Sequence, residues 1–75
     1  MILDVQKILI FKTNIRTKSA KKRVLEALND FNDIKRSTID LDDRDCVLRI
    51  VSDNVTTNQI ISTIRSLGFE CTELE

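Results

Sequence analysis

Apolar residues recur along this chain at two spacings, and the switches between them divide it into six segments. Residues 5–13 carry Val5, Ile8, Leu9, Ile10 and Phe11, a β-branched and aliphatic run that predicts a strand. Over residues 18–30 the spacing becomes helical: Ala20, Val24, Ala27 and Leu28, with Phe31 just beyond, form one buried stripe. Thr17 or Ser19 can cap the free N–H groups at its start. Residues 34–41 alternate weakly and read as a second strand. The polar run Asp42-Asp43-Arg44-Asp45 then makes a turn, and residues 46–52 form a third strand, hence a hairpin.

The second helix has the clearest start signal. Thr56 and Gln59 have the spacing of a capping box, and Val55 with Ile60 has that of a hydrophobic staple. Ile60, Ile61, Ile64 and Leu67 supply its apolar stripe. Gly68 follows, where a left-handed residue ends a helix, and residues 69–74 make the last strand. The order is βαββαβ. Both helices must cover one face of a four-stranded antiparallel sheet to bury their stripes, which predicts an α+β, ferredoxin-like two-layer sandwich. The usual sheet order for that arrangement puts strands one and three in the middle, with four and two at the edges.

Seventy-five residues allow one domain, spanning 1–75, near the lower size limit for a core that folds unaided. Hydrophobic content of 41% and charged content of 32% argue for a globular protein over a disordered one. The longest apolar run in the first strand, Ile8 to Phe11, falls far short of the roughly 20 residues that cross a bilayer. Asp4, Gln6 and Lys7 interrupt the N-terminal segment, so a signal peptide is not expected, and a cytoplasmic location is.

Histidine is absent, which removes the commonest metal ligand and most general-base chemistry near neutral pH. Twelve basic and twelve acidic residues balance to zero net charge, so neither nucleic acid nor membrane is an expected partner. The charges are nonetheless segregated. Arg16, Lys18, Lys21, Lys22 and Arg23 crowd one segment; Asp40, Asp42, Asp43 and Asp45 crowd another.

Phe11-Lys12-Thr13-Asn14-Ile15, Val24 with Ala27-Leu28, Ile39-Asp40-Leu41 and Leu67-Gly68-Phe69 together resemble the heavy-metal-associated domain family, the fold of copper chaperones. The resemblance runs over almost the whole chain. It implies that Ile15 stands where the family's buried Met usually is. It also implies that Thr17 and Ala20 occupy the two slots of the C-x-x-C metal loop. In the family those thiolates hold a soft ion such as Cu(I) or Zn(II). A hydroxyl is a poor soft-metal ligand and a methyl is none, so no metal site or cofactor is expected here.

What remains is surface. In related chaperones, basic residues near the first helix dock onto an acidic partner domain, so Arg16, Lys18, Lys21, Lys22 and Arg23 are candidate docking residues. The competing reading is a solvated helix face. The acidic cluster lacks the Gly and terminal Glu of a calcium loop and reads as a hairpin turn. Cys46 and Cys71 fall by strand parity on the helix-covered face. With strand one between them and the two near opposite ends, they should exceed the ~7 Å disulfide limit and act as small buried hydrophobes. Without a base or a Gly-rich loop, Thr13, Thr17 and Ser19 offer no nucleophilic catalysis.

Parity also places Leu9, Phe11, Leu48 and Ile50 under the helices. Ile8, Ile10, Val47 and Val51 are pushed outward, where Leu74 can join them in an apolar patch suited to a partner or a homodimer. The side-chain stems of Lys12 and Arg49 could instead cover that patch in a monomer. The open face carries no aromatic, which removes base stacking of the RNA-recognition type. The sequence thus favours a non-enzymatic interaction module with a degenerate metal site. The alternatives are metal binding through unconventional ligands, such as Cys71 with a partner's thiolates, and anion binding at Arg16 and Lys18.

Overall fold

A computed structural model describes residues 7–74. Its elements run β1 (Lys7–Thr13), α1 (Lys18–Leu28), β2 (Ile34–Ile39), β3 (Leu48–Ser52), α2 (Thr57–Ser66) and β4 (Cys71–Glu73). This is the βαββαβ order, and the four strands form one antiparallel sheet in the order β2-β3-β1-β4. Val5 and Gln6, expected to begin the first strand, lie outside the described residues.

Alternation along the central strands sets the two layers. Phe11, Leu48 and Ile50 have no exposed surface and meet Val24 and Leu28 from α1 and Ile60 and Ile64 from α2. Phe11 pairs with Leu48, and Leu9 with Ile50, so each inward row continues across the sheet. Burying one such side chain contributes roughly 1.5–3 kcal/mol, and this shared core holds both helices to a single face.

Local chemistry fixes the ends of the helices. Thr56 accepts the Gln59 N–H at 3.2 Å while the Gln59 side chain accepts the Thr56 N–H at 2.9 Å, a complete capping box. Val55 and Ile60 are both buried, as a hydrophobic staple requires. At the other end Gly68 has φ +94°; its N–H reaches the Arg65 carbonyl at 2.9 Å and Phe69 N–H reaches Ile64 at 3.3 Å. That is the paired bonding of a Schellman motif. Ser52, fully buried, donates to the Asp33 carbonyl and accepts from Asn54 and Val55, which shapes the turn into α2.

Several boundaries differ from the sequence expectation. The first helix stops at Leu28, where the Asn29, Asp30, Asn32 and Asp33 run turns the chain instead of extending the helix. The second strand ends at Ile39, since the Asp40 carboxylate accepts the Asp42 N–H at 3.0 Å and starts a turn. It also shifts register between Ile34 and Arg36, which explains its weak alternation. The last strand begins only at Cys71, because Phe69 closes the helix and the Glu70 N–H is taken by Asn14 at 2.8 Å.

The third strand begins at Leu48, so Cys46 is not a strand residue as its parity suggested. It lies in the left-handed region, φ +45°, with its N–H closing onto the Asp43 carbonyl at 3.0 Å. Its side chain is buried nonetheless. The two cysteines are also not near opposite ends of the first strand. Thr13 pairs with Cys71 on one side, and its hydroxyl donates to the Cys46 carbonyl on the other at 2.6 Å. Thr13 of β1 therefore lies between them. Both are free thiols.

Candidate functional site

The β1–α1 loop is held from three sides. Thr13, itself buried, donates its N–H to Asp45 and its hydroxyl to Cys46, joining the loop to the β2–β3 turn. The same hydroxyl accepts the Ile15 N–H at 3.2 Å. Asn14 accepts from Glu70 and ties the loop to the α2–β4 connection. Ile15, with no exposed surface, plugs the core beneath the loop. Sequence reasoning placed Ile15 but missed the bridging roles of Thr13 and Asn14. Those bonds span 33 and 56 residues, and no local pattern announces them.

Thr17 is the N-cap of α1, and its exposed hydroxyl accepts the Ala20 N–H at 3.0 Å. The alternative cap, Ser19, is not used. Ala20 is half-buried and packs its methyl against the core. The two positions are therefore adjacent in space at the start of α1, and neither carries a thiol.

Around this helix start the cations are solvated. Arg16, Lys18 and Lys22 are exposed and Lys21 is half-buried, and none has an ion-pair partner among the described residues. Arg23 is different. Its guanidinium stands 5.8 Å from the Phe69 ring centroid, a cation–π contact joining α1 to the α2–β4 turn. The acidic turn lies at the same end of the sheet, since Asp45 is bonded to Thr13. Three of its four carboxylates are engaged locally: Asp40 accepts the Asp42 N–H, Asp43 accepts from Asp45 at 2.8 Å, and Asp45 meets Lys12 at 3.8 Å. Among the described residues no three His, Cys, Asp or Glu side chains converge as a metal site.

Burial pushes the Cys71 thiol up from 9.0 to about 11, against a smaller opposing pull from Arg65. It borders an open cleft beside β4 lined also by Lys12, Thr13, Arg65 and Phe69. The candidate face residues lie on the other side of the sheet: Ile8 is 60% exposed, while Ile10, Val47 and Val51 are half-buried. Leu74 joins them, its N–H reaching the Ile10 carbonyl at 2.9 Å.

The arrangement of these elements is shared with solved metal-handling proteins. Oxidised MerP from Ralstonia metallidurans CH34 superposes with a TM-score of 0.81 over 95% of this chain and 100% of its own, at 5% identity. The CsoZ metallochaperone gives 0.79 over 91% of this chain and 99% of its own, at 14% identity. The fold is the heavy-metal-associated fold. At such identities the likeness is one of fold alone, and no family model and no curated protein sequence matches the chain. Among the described residues no helix of this heavy-metal-associated fold is long and apolar enough to cross a membrane.

Proposed function

We propose that residues 1–75 form a non-enzymatic protein-interaction module, built on the heavy-metal-associated fold and lacking its thiolate pair. One observation carries this reading. The loop and helix start that would present a metal are occupied by Thr17, whose hydroxyl is committed to the Ala20 N–H, and by the methyl of Ala20. Thr13, Asn14 and Ile15 bind that loop to the rest of the fold.

The partner is a cytoplasmic protein with an acidic surface, and it docks on Arg16, Lys18, Lys21, Lys22 and Arg23. Free thiols at Cys46 and Cys71 support a reducing compartment. Solvated lysines at the start of α1 oppose the helix dipole, at a cost of a few tenths of a kcal/mol each, and a binding role accounts for that cost. Metal binding through Cys71 is the weaker reading, since burial keeps that thiol protonated at neutral pH and inaccessible.

Titration with Cu(I) and with Zn(II), followed by native mass spectrometry, tests this reading. The expected result is no complex tighter than an exposed thiol would give. A stoichiometric complex that resists a competing chelator overturns it.

A further inference from the structure

The open face of the sheet pairs an aliphatic ridge with unanswered positive charge. Ile8 faces Val51 across the β1–β3 ladder, and Ile10 faces Arg49. Arg36 faces Val51 from β2. The outward strand positions thus hold three cations, Lys12, Arg36 and Arg49, and not one carboxylate. Lys12 is drawn to Asp45 at 3.8 Å. Arg36 and Arg49 are exposed and have no ion-pair partner among the described residues. Ile8 is the one large hydrophobic residue among those described that is more exposed than buried.

We infer that this face is a second docking surface, separate from the α1 cluster, and that its occupant is an acidic amphipathic helix of a partner protein. The apolar stripe of that helix lies over Ile8, Ile10 and Val51, with carboxylates reaching Arg36 and Arg49. The dimensions fit: four strands span about 14 Å between the edges, and a helix with its side chains is about 10–12 Å across. Addition of a partner strand at an edge is disfavoured, because β2 is bulged near Arg36 and β4 is three residues long. A second copy is the poorer occupant, since a two-fold contact sets Arg36 and Arg49 of each protomer against strand positions that carry no carboxylate, and the nearby Asp45 already meets Lys12.

The test uses a synthetic helical peptide with a leucine stripe flanked by glutamates, titrated into isotope-labelled protein. Amide shifts are expected at Ile8, Ile10, Arg49 and Val51. The double variant Arg36→Glu/Arg49→Glu should weaken binding roughly tenfold or more, while circular dichroism confirms that it folds. Ile8→Asp, at an exposed site, should weaken it independently. No binding, or binding unaffected by these variants, overturns the proposal. Shifts confined to residues 16–23 also overturn it and leave the α1 reading standing. Sedimentation showing a dimer that Ile10→Lys dissociates would assign the face to a second copy. Binding to phosphatidylserine vesicles without binding to the peptide would assign it to a membrane surface.

Discussion

The two helices of this fold begin in different ways. At α2 every local device agrees: a reciprocal capping box between Thr56 and Gln59, a buried staple of Val55 on Ile60, and neutral residues through the first turn. At α1 a single hydroxyl, that of Thr17, caps one N–H, and Lys18, Lys21 and Lys22 follow with no acidic residue in the first turn. Both helices contribute two fully buried residues to the same core, so packing demands are alike. The α2 start is organised for stability. The α1 start carries charges that stability alone would not select, and it adjoins the β1–α1 loop.

The strongest way to break that comparison is to return thiolates to the α1 start. Thr17→Cys with Ala20→Cys should raise Cu(I) affinity roughly a hundredfold or more over wild type, since two thiolates suit a soft ion and the loop is already held. Loss of the Thr17 cap should cost about 1 kcal/mol in the metal-free double variant, and bound metal should restore the melting temperature. Chelator competition and thermal unfolding measure both. A folded double variant with no gain in affinity would show that the loop lacks the geometry of a metal loop.

Cys71 provides the next largest effect. Its thiol stays neutral in the fold until about 11 but ionises near 9.0 when unfolded. Between those values the unfolded state binds fewer protons, so stability falls as pH rises, by up to roughly 2–3 kcal/mol. Below pH 9 the contribution is constant. Urea melts across pH 8–11 should show this slope, and Cys71→Ala should flatten it whatever its absolute stability. Slow reaction of Cys71 with thiol reagents at neutral pH is expected for the same reason. An unchanged slope in the variant would assign the alkaline loss to other groups.

The elements of the fold were legible because their signals are local. The Thr56 and Gln59 spacing, the Gly68 stop and the stripes Val24–Leu28 and Ile60–Ile64 each speak within a few residues, and each is found in place. Cys46 was misplaced because its neighbours Leu48 and Ile50 extend a strand pattern backward, whereas the Thr13 hydroxyl and the Asp43 carbonyl hold its backbone in a turn. The same is true of Phe69 and Glu70, whose N–H groups go to a helix end and to Asn14 rather than to a ladder. At the candidate site the residue types were readable, but not that Arg23 turns to Phe69 or that the acidic turn shares an end with the basic loop. Those facts follow from long-range pairing.

Cap removal sharpens the contrast between the helix starts directly. Thr56→Ala should cost about 1–1.5 kcal/mol, because it breaks one half of a reciprocal pair and exposes the other. Thr17→Ala should cost about 0.5–1 kcal/mol, since one bond to Ala20 is lost and nothing answers it. Urea denaturation of the two variants side by side ranks them. Equal losses would mean that the Gln59 half of the box contributes nothing.

The smallest expected change is the most telling for function. Lys18 is the first residue of α1, exposed and without an ion-pair partner among the described residues. Placing a carboxylate there complements the helix dipole, so Lys18→Glu should stabilise the protein by about 0.5 kcal/mol at low salt. The gain should shrink in 1 M salt, where the screening length is about 3 Å. A stabilising substitution on this basic surface separates the two readings of the cluster. If the lysines serve solubility alone, Lys18→Glu gains stability and nothing else changes. If they dock an acidic partner, the same variant is more stable and binds that partner more weakly. A destabilised Lys18→Glu would show that Lys18 has a structural role in the fold, and the contrast between the two helix starts would then fail.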